Sequence, residues 1–242
     1  LPPVVLQEGE KQKREYLLNL FETTYLKDII ERNDIKRKDV LDSIVSILAS
    51  SIGSLTNPMK IYKTYQSNGD KDISLNTITS YIEHLENAYL INKVERYDVK
   101  GRKYISTPFK YYFTDLGLRN ARLNFRQQEE NHIMENIIYN ELLIRGYNID
   151  VGVVESRNND GRVYYEIDFV CNMASNRYYI QSALNIDTPE KNYQESRPLN
   201  CVGDNFKKII VVREDINLWH NEDGILIIGI REFLLKKNSL EL

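Results

Sequence analysis

The sequence predicts an α+β protein with an N-terminal helical segment, a unit of three helices and a β-hairpin, and a C-terminal α/β/α unit with a mixed sheet. Three observations predict this class. Apolar residues recur at helical spacing up to Leu90, the period changes to β-type runs from Ile91, and later apolar runs are interleaved with helix-compatible stretches. At 242 residues, 42% of them hydrophobic, the chain can bury more than one core.

The first predicted region, residues 1–38, is a helical linker. Apolar positions such as Leu17, Phe21 and Ile29 recur at helical spacing, so residues 10–32 are predicted to form an amphipathic helix or a pair of helices. The stretch that follows is polar and charged, which is typical of a connection between domains.

The second predicted region, residues 39–120, begins with three helices. The first covers residues 39–52 and turns one apolar face inward. Asn57 is a good N-cap and Pro58 fits the first position of the second helix. Ser74 begins a third helix with apolar residues at spacings of three and four.

A β-hairpin with a basic tip follows these helices. Two β-type runs, Ile91–Val99 and Tyr104–Thr114, are joined by Lys-Gly-Arg-Lys at 100–103. Three helices and a hairpin form the winged-helix plan, which usually places the third helix in the DNA major groove and the wing on phosphates. Binding to protein instead of DNA stays open, because the third helix also carries Glu83 and Glu86. The candidate DNA contacts are Asn76, Thr77, Thr79, Ser80, Lys100, Arg102, Lys103 and Lys110.

The third predicted region, residues 121–242, is an α/β/α sandwich. The run 208–212 is apolar on both faces, as is typical of a central strand in a covered sheet. Helices flanking a mixed sheet account for the pattern. Predicted strands lie at 148–155, 162–171, 177–186, 207–214 and 224–230, and predicted helices at 130–145 and 188–202.

Acidic residues on adjacent predicted strands indicate a place where a cation could bind. If side chains alternate regularly, Glu166 and Asp168 share one face of their strand. Gln181 and Ala183 share a face of the next strand. Hard divalent ions prefer carboxylate oxygen, so the acidic pair draws attention to this point of the sheet.

The pattern resembles the restriction-endonuclease-like superfamily, in which an acid on one strand and an acid-x-lysine pair on the next bind magnesium and activate water. The resemblance places Asp168 on the first acid, Gln181 on the second and Ala183 on the lysine. An amide is a weak ligand for magnesium and alanine cannot activate water, so we expect a degenerate domain that holds no metal. A residual metal-dependent nuclease that uses Asp168 and neighbouring acids is the alternative. The candidate remnant of the site is Glu135, Glu166, Asp168, Gln181 and Lys191, the first as the helical acid and the last as a migrated lysine.

Five further stretches carry a resemblance that covers nearly the whole chain. They are Leu1-Pro2-Pro3, Tyr25–Ile29, Tyr81–Leu90, Lys110–Asn120 and Glu166–Val170. They resemble the C-terminal part of a family of predicted bacterial and archaeal AAA+ ATPases, in which an ATPase module precedes a winged helix and a degenerate nuclease-like domain. The resemblance implies that ATP and magnesium are bound by that module. These residues contain no phosphate-binding Gly-x-x-x-x-Gly-Lys-Ser/Thr loop, so we expect a fragment that follows the module.

Composition limits the remaining possibilities. Cys171 and Cys201 are the only cysteines, which favours a reducing cytoplasm over a disulfide framework, and no apolar run is long enough for a membrane span. The net charge of −3 does not indicate a nucleic-acid-binding protein, but it is compatible with a local basic patch. We therefore expect a non-catalytic accessory region of an ATP-binding AAA+ protein. Its expected partners are double-stranded DNA at the winged helix, the ATPase module of its own chain, and a protein partner or a second copy.

Overall fold

The structure is a computed structural model that describes residues 2–69, 72–126, 129–158 and 161–242. Leu1, part of one stretch quoted above, lies outside the described residues. The chain divides into two compact units. Unit 1 comprises the residues up to Lys93 together with Phe109–Glu129, and unit 2 comprises Val94–Pro108 together with Glu130–Leu242. The fold is of the mixed α+β class, as predicted.

Unit 1 is mainly helical. The predicted helices after residue 10, around residue 40 and after Asn57 and Ser74 are confirmed, and α7 is an additional helix that the sequence pattern did not indicate. A π-helical turn, Phe21–Leu26, interrupts the first long helix. The bounds are α1 Pro2–Val5, α2 Glu10–Leu20, α3 Lys27–Arg32, α4 Lys38–Ser50, α5 Pro58–Ser67, α6 Leu75–Asn87 and α7 Leu116–Arg122.

Side-chain caps fix where α5 and α6 begin. The Asn57 side-chain oxygen accepts a hydrogen bond from the Lys60 amide at 2.7 Å, and Pro58 occupies the first turn of α5. The Ser74 hydroxyl accepts from the Thr77 amide at 3.1 Å. The sequence predicted the Asn57 cap and a helix that begins at Ser74, and both side chains satisfy amides that the first helical turn leaves without partners.

The stretch Thr114–Arg119, which contributed to the family resemblance, has a structural role in unit 1. Asp115 caps α7 by accepting from the Leu118 amide at 3.0 Å. A Cβ at Gly117 would lie 2.8 Å from the Asp115 carboxylate oxygen and 3.0 Å from a Leu17 methyl group, so a larger residue would require both side chains to shift. Arg119 is fully buried, and its Nε donates to the carbonyl oxygen of Ala49 at 2.8 Å, near the end of α4.

Unit 2 is built around an eight-stranded mixed sheet, and its segment Val94–Pro108 supplies parts of the first two strands along the chain. Its order is β2-β1-β3-β4-β5-β6-β8-β7. The β3–β4, β4–β5 and β7–β8 pairs are antiparallel, and the β1–β3, β5–β6 and β6–β8 pairs are parallel. The bounds are β1 Ile91–Asp98, β2 Lys103–Phe113, β3 Asn148–Asn158, β4 Gly161–Met173, β5 Asn176–Ala183, β6 Lys207–Val212, β7 Trp219–His220 and β8 Leu226–Gly229.

Helices cover both faces of this sheet. The described residues of unit 2 form the helices α8 (Glu130–Ile144), α9 (Pro189–Asn200) and α10 (Ile230–Leu235). Tyr178 of β5 packs edge-on against Tyr147, which follows α8, with ring centroids 5.7 Å apart. Its neighbour Tyr179 lies in the core cluster that contains Leu199 of α9. Because adjacent residues of a strand point to opposite faces, α8 and α9 cover opposite sides.

The two units differ from the predicted domains at the hairpin and at the boundary after residue 120. The predicted boundary at residue 120 keeps the whole hairpin with the three helices, whereas Val94–Pro108 joins the sheet of unit 2 and residues up to Glu129 join unit 1. None of the helices in the described part of the chain combines the length and apolarity needed to cross a bilayer.

Candidate functional site

Three of the residues that the nuclease resemblance singled out, Asp168, Gln181 and Ala183, lie where β4 meets β5. Asp168 is only 8% exposed, and one of its carboxylate oxygens accepts a hydrogen bond from the Ser182 amide at 2.8 Å. The Asp168 amide donates to the side-chain oxygen of Gln181 at 3.4 Å. Ala183, which the resemblance places at the lysine position, is buried. The structure therefore brings Asp168 and Gln181 together where β4 and β5 pair.

Glu195 of α9 belongs to the same cluster, although sequence reasoning did not indicate it. Burial raises the pKa of this carboxyl group, and the charge of Asp168 raises it further, whereas a hydrogen bond from Gln181 acts in the opposite direction. Its position six residues into a polar helix carried no signal that it would approach β4.

The other members of the predicted remnant make different contacts. Glu135 is buried in α8, with a carboxylate oxygen 3.9 Å from Nδ1 of His132. Glu166 lies opposite Val153 in the β3–β4 pairing. Lys191 is exposed, and its ammonium group donates to the Asn185 side-chain oxygen at 2.6 Å. Across the described ranges, no three His, Cys, Asp or Glu side chains form a group that could hold a metal ion.

A β-bulge explains why simple alternation fails at this point. The β3–β4 register shifts between the pairs Asp150–Val170 and Gly152–Ile167. Ile167 and Val170 consequently lie in one core cluster although they are three residues apart. The prediction that Glu166 and Asp168 share a face through regular alternation is therefore wrong, since the bulge adds a residue between these pairs.

The predicted contacts at the start of α6 are mostly engaged within the helix. The Thr79 hydroxyl donates to the Leu75 carbonyl at 3.0 Å, and the Ser80 hydroxyl lies 3.2 Å from Nε2 of His84. Thr77 shares a 2.9 Å hydrogen bond with Ser74. Asn76 is exposed. The first turns of α6 thus present little polar surface that is ready to read DNA bases.

Three of the four cations that were predicted to form a basic cluster at the hairpin are exposed. Lys100, Arg102 and Lys103 lie on the surface of unit 2. Lys110 is 2% exposed within unit 1, so the prediction that it joins the basic tip is wrong. Its position well inside β2, next to the buried Tyr111, explains the difference.

Two further arginines lie at the same end of the sheet as the hairpin tip. The Lys100 ammonium group donates to the carbonyl oxygen of Glu155 at 2.6 Å, which connects the tip to the end of β3. Arg157 and Arg162 are exposed and face each other across β3 and β4. We call Lys100, Arg102, Lys103, Arg157 and Arg162 the basic end. Sequence reasoning missed its last two members because they are more than 50 residues from the tip and become neighbours only through the β1–β3 pairing.

Acidic groups at the basic end offset only part of its positive charge. Arg162 forms an ion pair with Glu155 at 3.3 Å, and both side chains are at least one-third exposed. The Asp98 carboxylate accepts a hydrogen bond from the Gly101 amide at 2.8 Å and shapes the turn. Among the residues described there, the five cations outnumber these two carboxylates, so the surface can attract phosphate.

Comparison with known families identifies the N-terminal half. The family described as "Domain of unknown function (DUF8612)" matches residues 1–129. This chain belongs to the DUF8612 family. The DUF8612 match ends at Glu129, where unit 1 also ends. All of the candidate DNA contacts predicted from the sequence lie inside the match, whereas the nuclease-like residues, Arg157 and Arg162 lie outside it.

Two relatives of this DUF8612 chain are considerably longer. An uncharacterized protein of Haemophilus influenzae is 34% identical over 234 residues, which cover 97% of this chain and 55% of that protein. Uncharacterized protein MJ1544 of Methanocaldococcus jannaschii is 28% identical over 198 residues, covering 78% of this chain and 41% of that protein. The chain thus spans about half the length of the curated relatives it matches.

Among solved structures, the DUF8612 chain is similar to the crystal structure of protein VC1899 from Vibrio cholerae. The TM-score is 0.35 and the sequence identity is 12%, with 96% of this chain and 56% of that chain covered.

Proposed function

We propose that this chain is a non-catalytic accessory region of an AAA+ ATPase and that it contacts double-stranded DNA through the basic end. The observation that supports this proposal best is the gathering of Lys100, Arg102, Lys103, Arg157 and Arg162 at one end of the unit 2 sheet. A surface built from two hairpins can follow a phosphate backbone, and phosphate contacts position a protein on DNA without reading its sequence.

The AAA+ part of the proposal rests on the family resemblance. The relatives extend well beyond the region matched here, which leaves space for an ATPase module in those proteins. ATP and magnesium would be bound by that module. Contact of this region with its own ATPase module, with another protein or with a second copy is compatible with the same proposal.

The geometry around Asp168 supports a non-catalytic role. A nuclease of the resembled kind needs two carboxylates and a lysine around the metal. Here Gln181 supplies an amide and Ala183 supplies no functional group. The ammonium group of Lys191 donates a hydrogen bond to the Asn185 side chain. The hydrogen bond from the Ser182 amide gives Asp168 a structural role between β4 and β5.

Removing the cations of the hairpin tip is expected to weaken duplex binding about 100-fold at low salt, because each lost phosphate contact forfeits counterion release. The variant replaces Lys100, Arg102 and Lys103 by alanine, and binding is followed by fluorescence anisotropy of a labelled duplex. A control with the same change in charge replaces Lys36, Lys60 and Lys63, which are exposed in unit 1.

The control should bind the duplex like the parent. A parent chain that does not bind at low salt, or a control that loses as much affinity as the tip variant, would contradict the proposal. In that case the hairpin would be better explained as a surface for protein.

A residual metal-dependent nuclease is the second candidate, and the electrostatic influence of Asp168 on the Glu195 carboxyl group favours it. We expect the parent chain to leave single- and double-stranded DNA intact with manganese or magnesium. The Asp168→Asn variant should behave identically. Metal-dependent cleavage by the parent that disappears in Asp168→Asn would establish the nuclease instead.

A further inference from the structure

A cleft of about 840 Å³ opens beside the basic end, and every residue that lines it belongs to unit 2. We call it the tyrosine cleft. Tyr97 and Tyr104 form its aromatic wall, Tyr139 and Tyr147 also line it, and Arg102 and Asp150 are among its charged groups. Its volume suits a small organic ligand or one nucleotide.

The aromatic wall offers a surface for stacking. The rings of Tyr97 and Tyr104 meet edge to face, with centroids 5.4 Å apart and an interplanar angle of 62°. Tyr104 is 62% exposed, which is a large exposed fraction for an aromatic ring that has a neighbouring ring to pack on. The guanidinium of Arg177 lies 5.5 Å from the centroid of the Tyr97 ring and holds that side chain in place. Exposed aromatic rings on a rigid sheet are typical platforms for planar bases.

Asp150 supplies a hydrogen-bond acceptor in the cleft. Within the described part of the chain, its carboxylate accepts one long hydrogen bond, 3.4 Å, from the Tyr104 hydroxyl. Partial burial raises the pKa of Asp150 to about 6, the Tyr104 hydroxyl and Arg177 lower it, and Glu95 raises it. A carboxylate that is partly desolvated and weakly bonded gains most from a ligand with two adjacent donors.

Arg102 supplies a positive charge at the edge of the cleft. It lies in the turn between β1 and β2, is exposed, and belongs both to the basic end and to the lining of the cleft. A ligand that combines a planar base with a phosphate could therefore reach the aromatic wall, Asp150 and Arg102 together.

We propose that the tyrosine cleft binds a guanine nucleotide, with the base stacked on Tyr104, its N1–H and 2-amino group donating to Asp150, and its phosphate next to Arg102. Guanine is the base whose pairing edge presents two adjacent donors, which match the two oxygens of one carboxylate. A free nucleotide and an unpaired guanine in a nucleic-acid strand share this chemistry. The second source rests on the proposed nucleic-acid function, whereas the first does not.

Titration calorimetry with guanosine monophosphate, inosine monophosphate and adenosine monophosphate tests the free nucleotide. Guanosine monophosphate should bind most tightly, because inosine lacks the 2-amino group and adenine offers an acceptor where guanine has N1–H. Asp150→Asn should weaken its binding about 10–100-fold, the discrimination typical of a bidentate pair. Tyr104→Ala should weaken it about tenfold through lost stacking.

Tyr164→Ala is a matched control, because Tyr164 is as exposed as Tyr104 at 62% and does not line the cleft. Its affinity for guanosine monophosphate should equal that of the parent. Affinity should also fall as the pH is lowered through about 6, because a protonated Asp150 cannot accept two hydrogen bonds.

A labelled oligothymidylate strand with and without one central guanine tests the second source. Binding that needs the guanine and is weakened in Asp150→Asn, without binding of the free nucleotide, would assign the cleft to a strand. The duplex affinity of Tyr104→Ala should match the parent, which separates failure of this inference from failure of the proposed function. The assignment would be overturned if neither form showed a preference for guanine, or if Tyr164→Ala weakened binding as much as Tyr104→Ala. It would also be overturned if a peptide containing arginine bound more tightly than the nucleotide, because a guanidinium can likewise stack on tyrosine and pair with a carboxylate.

Discussion

Replacement of Arg119 by alanine is expected to lower the free energy of unfolding of unit 1 by about 3–5 kcal/mol. The side chain is fully buried, so truncation leaves a large cavity. Its Nε–H bond to the Ala49 carbonyl is also lost, and a buried acceptor without a partner carries its own cost. A second bond, from Nη1 to the Asn120 side-chain oxygen at 3.1 Å, disappears with it.

Arg119→Met separates the two contributions. Methionine restores most of the volume but donates no hydrogen bond, so its destabilisation should be about 1–3 kcal/mol. Arg32→Ala is the control, because Arg32 lies on the surface of α3 in an ion pair with Asp28 at 2.9 Å. Exposed pairs contribute about 0–1 kcal/mol. Urea denaturation followed by circular dichroism measures all three variants, and an Arg119→Ala midpoint equal to that of the parent would contradict this role.

Asp150→Asn is expected to stabilise the protein at neutral pH by about 1–2 kcal/mol, after allowance for solvent screening of a partly exposed group. Burial raises the pKa of Asp150 from 3.8 to about 6, so the folded state binds this proton more tightly than the unfolded chain does. The stability that this proton confers is fully present below about pH 4 and is lost as the pH rises through about 6. Asparagine keeps the shape and carries no charge, so the variant escapes the loss.

The gain from Asp150→Asn should therefore appear above pH 6 and vanish near pH 4. Asp215→Asn is the control, since Asp215 is exposed and pairs with Arg231 at 3.3 Å. Thermal unfolding of both variants at several pH values provides the measurement. A destabilising effect of Asp150→Asn at pH 8 would show that the carboxylate is needed for the fold. A stabilised variant that no longer binds guanine nucleotide would assign the carboxylate to binding, because proteins commonly give up stability at functional sites.

Local chemistry allowed much of the fold to be predicted. Asn57 and Ser74 mark helix starts because their side chains cap the first turn, and the four apolar residues that follow Lys208 mark a strand covered on both faces. The two-residue strand β7 and helix α7 were missed, because each is short and follows directly on a stretch with another pattern. The predicted winged-helix and nuclease-like assignments stay proposals.

The site was less accessible to sequence reasoning, because its residues become neighbours only through strand pairing. Arg157 and Arg162 join the predicted cations of the hairpin through contacts between β1, β3 and β4. Lysine is usually exposed, but Lys110 is buried, and no local sequence pattern distinguishes it from the exposed Lys103. The bulge in the β3–β4 pairing likewise has no local signal, and it changes which residues share a face with Asp168.

The most direct test of DNA contact at the basic end is the salt dependence of duplex binding. The logarithm of the affinity should fall linearly with the logarithm of the salt concentration, with a slope of about −0.9 for each phosphate contacted. Replacing Lys100, Arg102 and Lys103 by alanine should make that slope shallower by about two to three, whereas the Lys36, Lys60 and Lys63 control should keep the slope of the parent. Identical slopes for the parent and the tip variant would contradict the account.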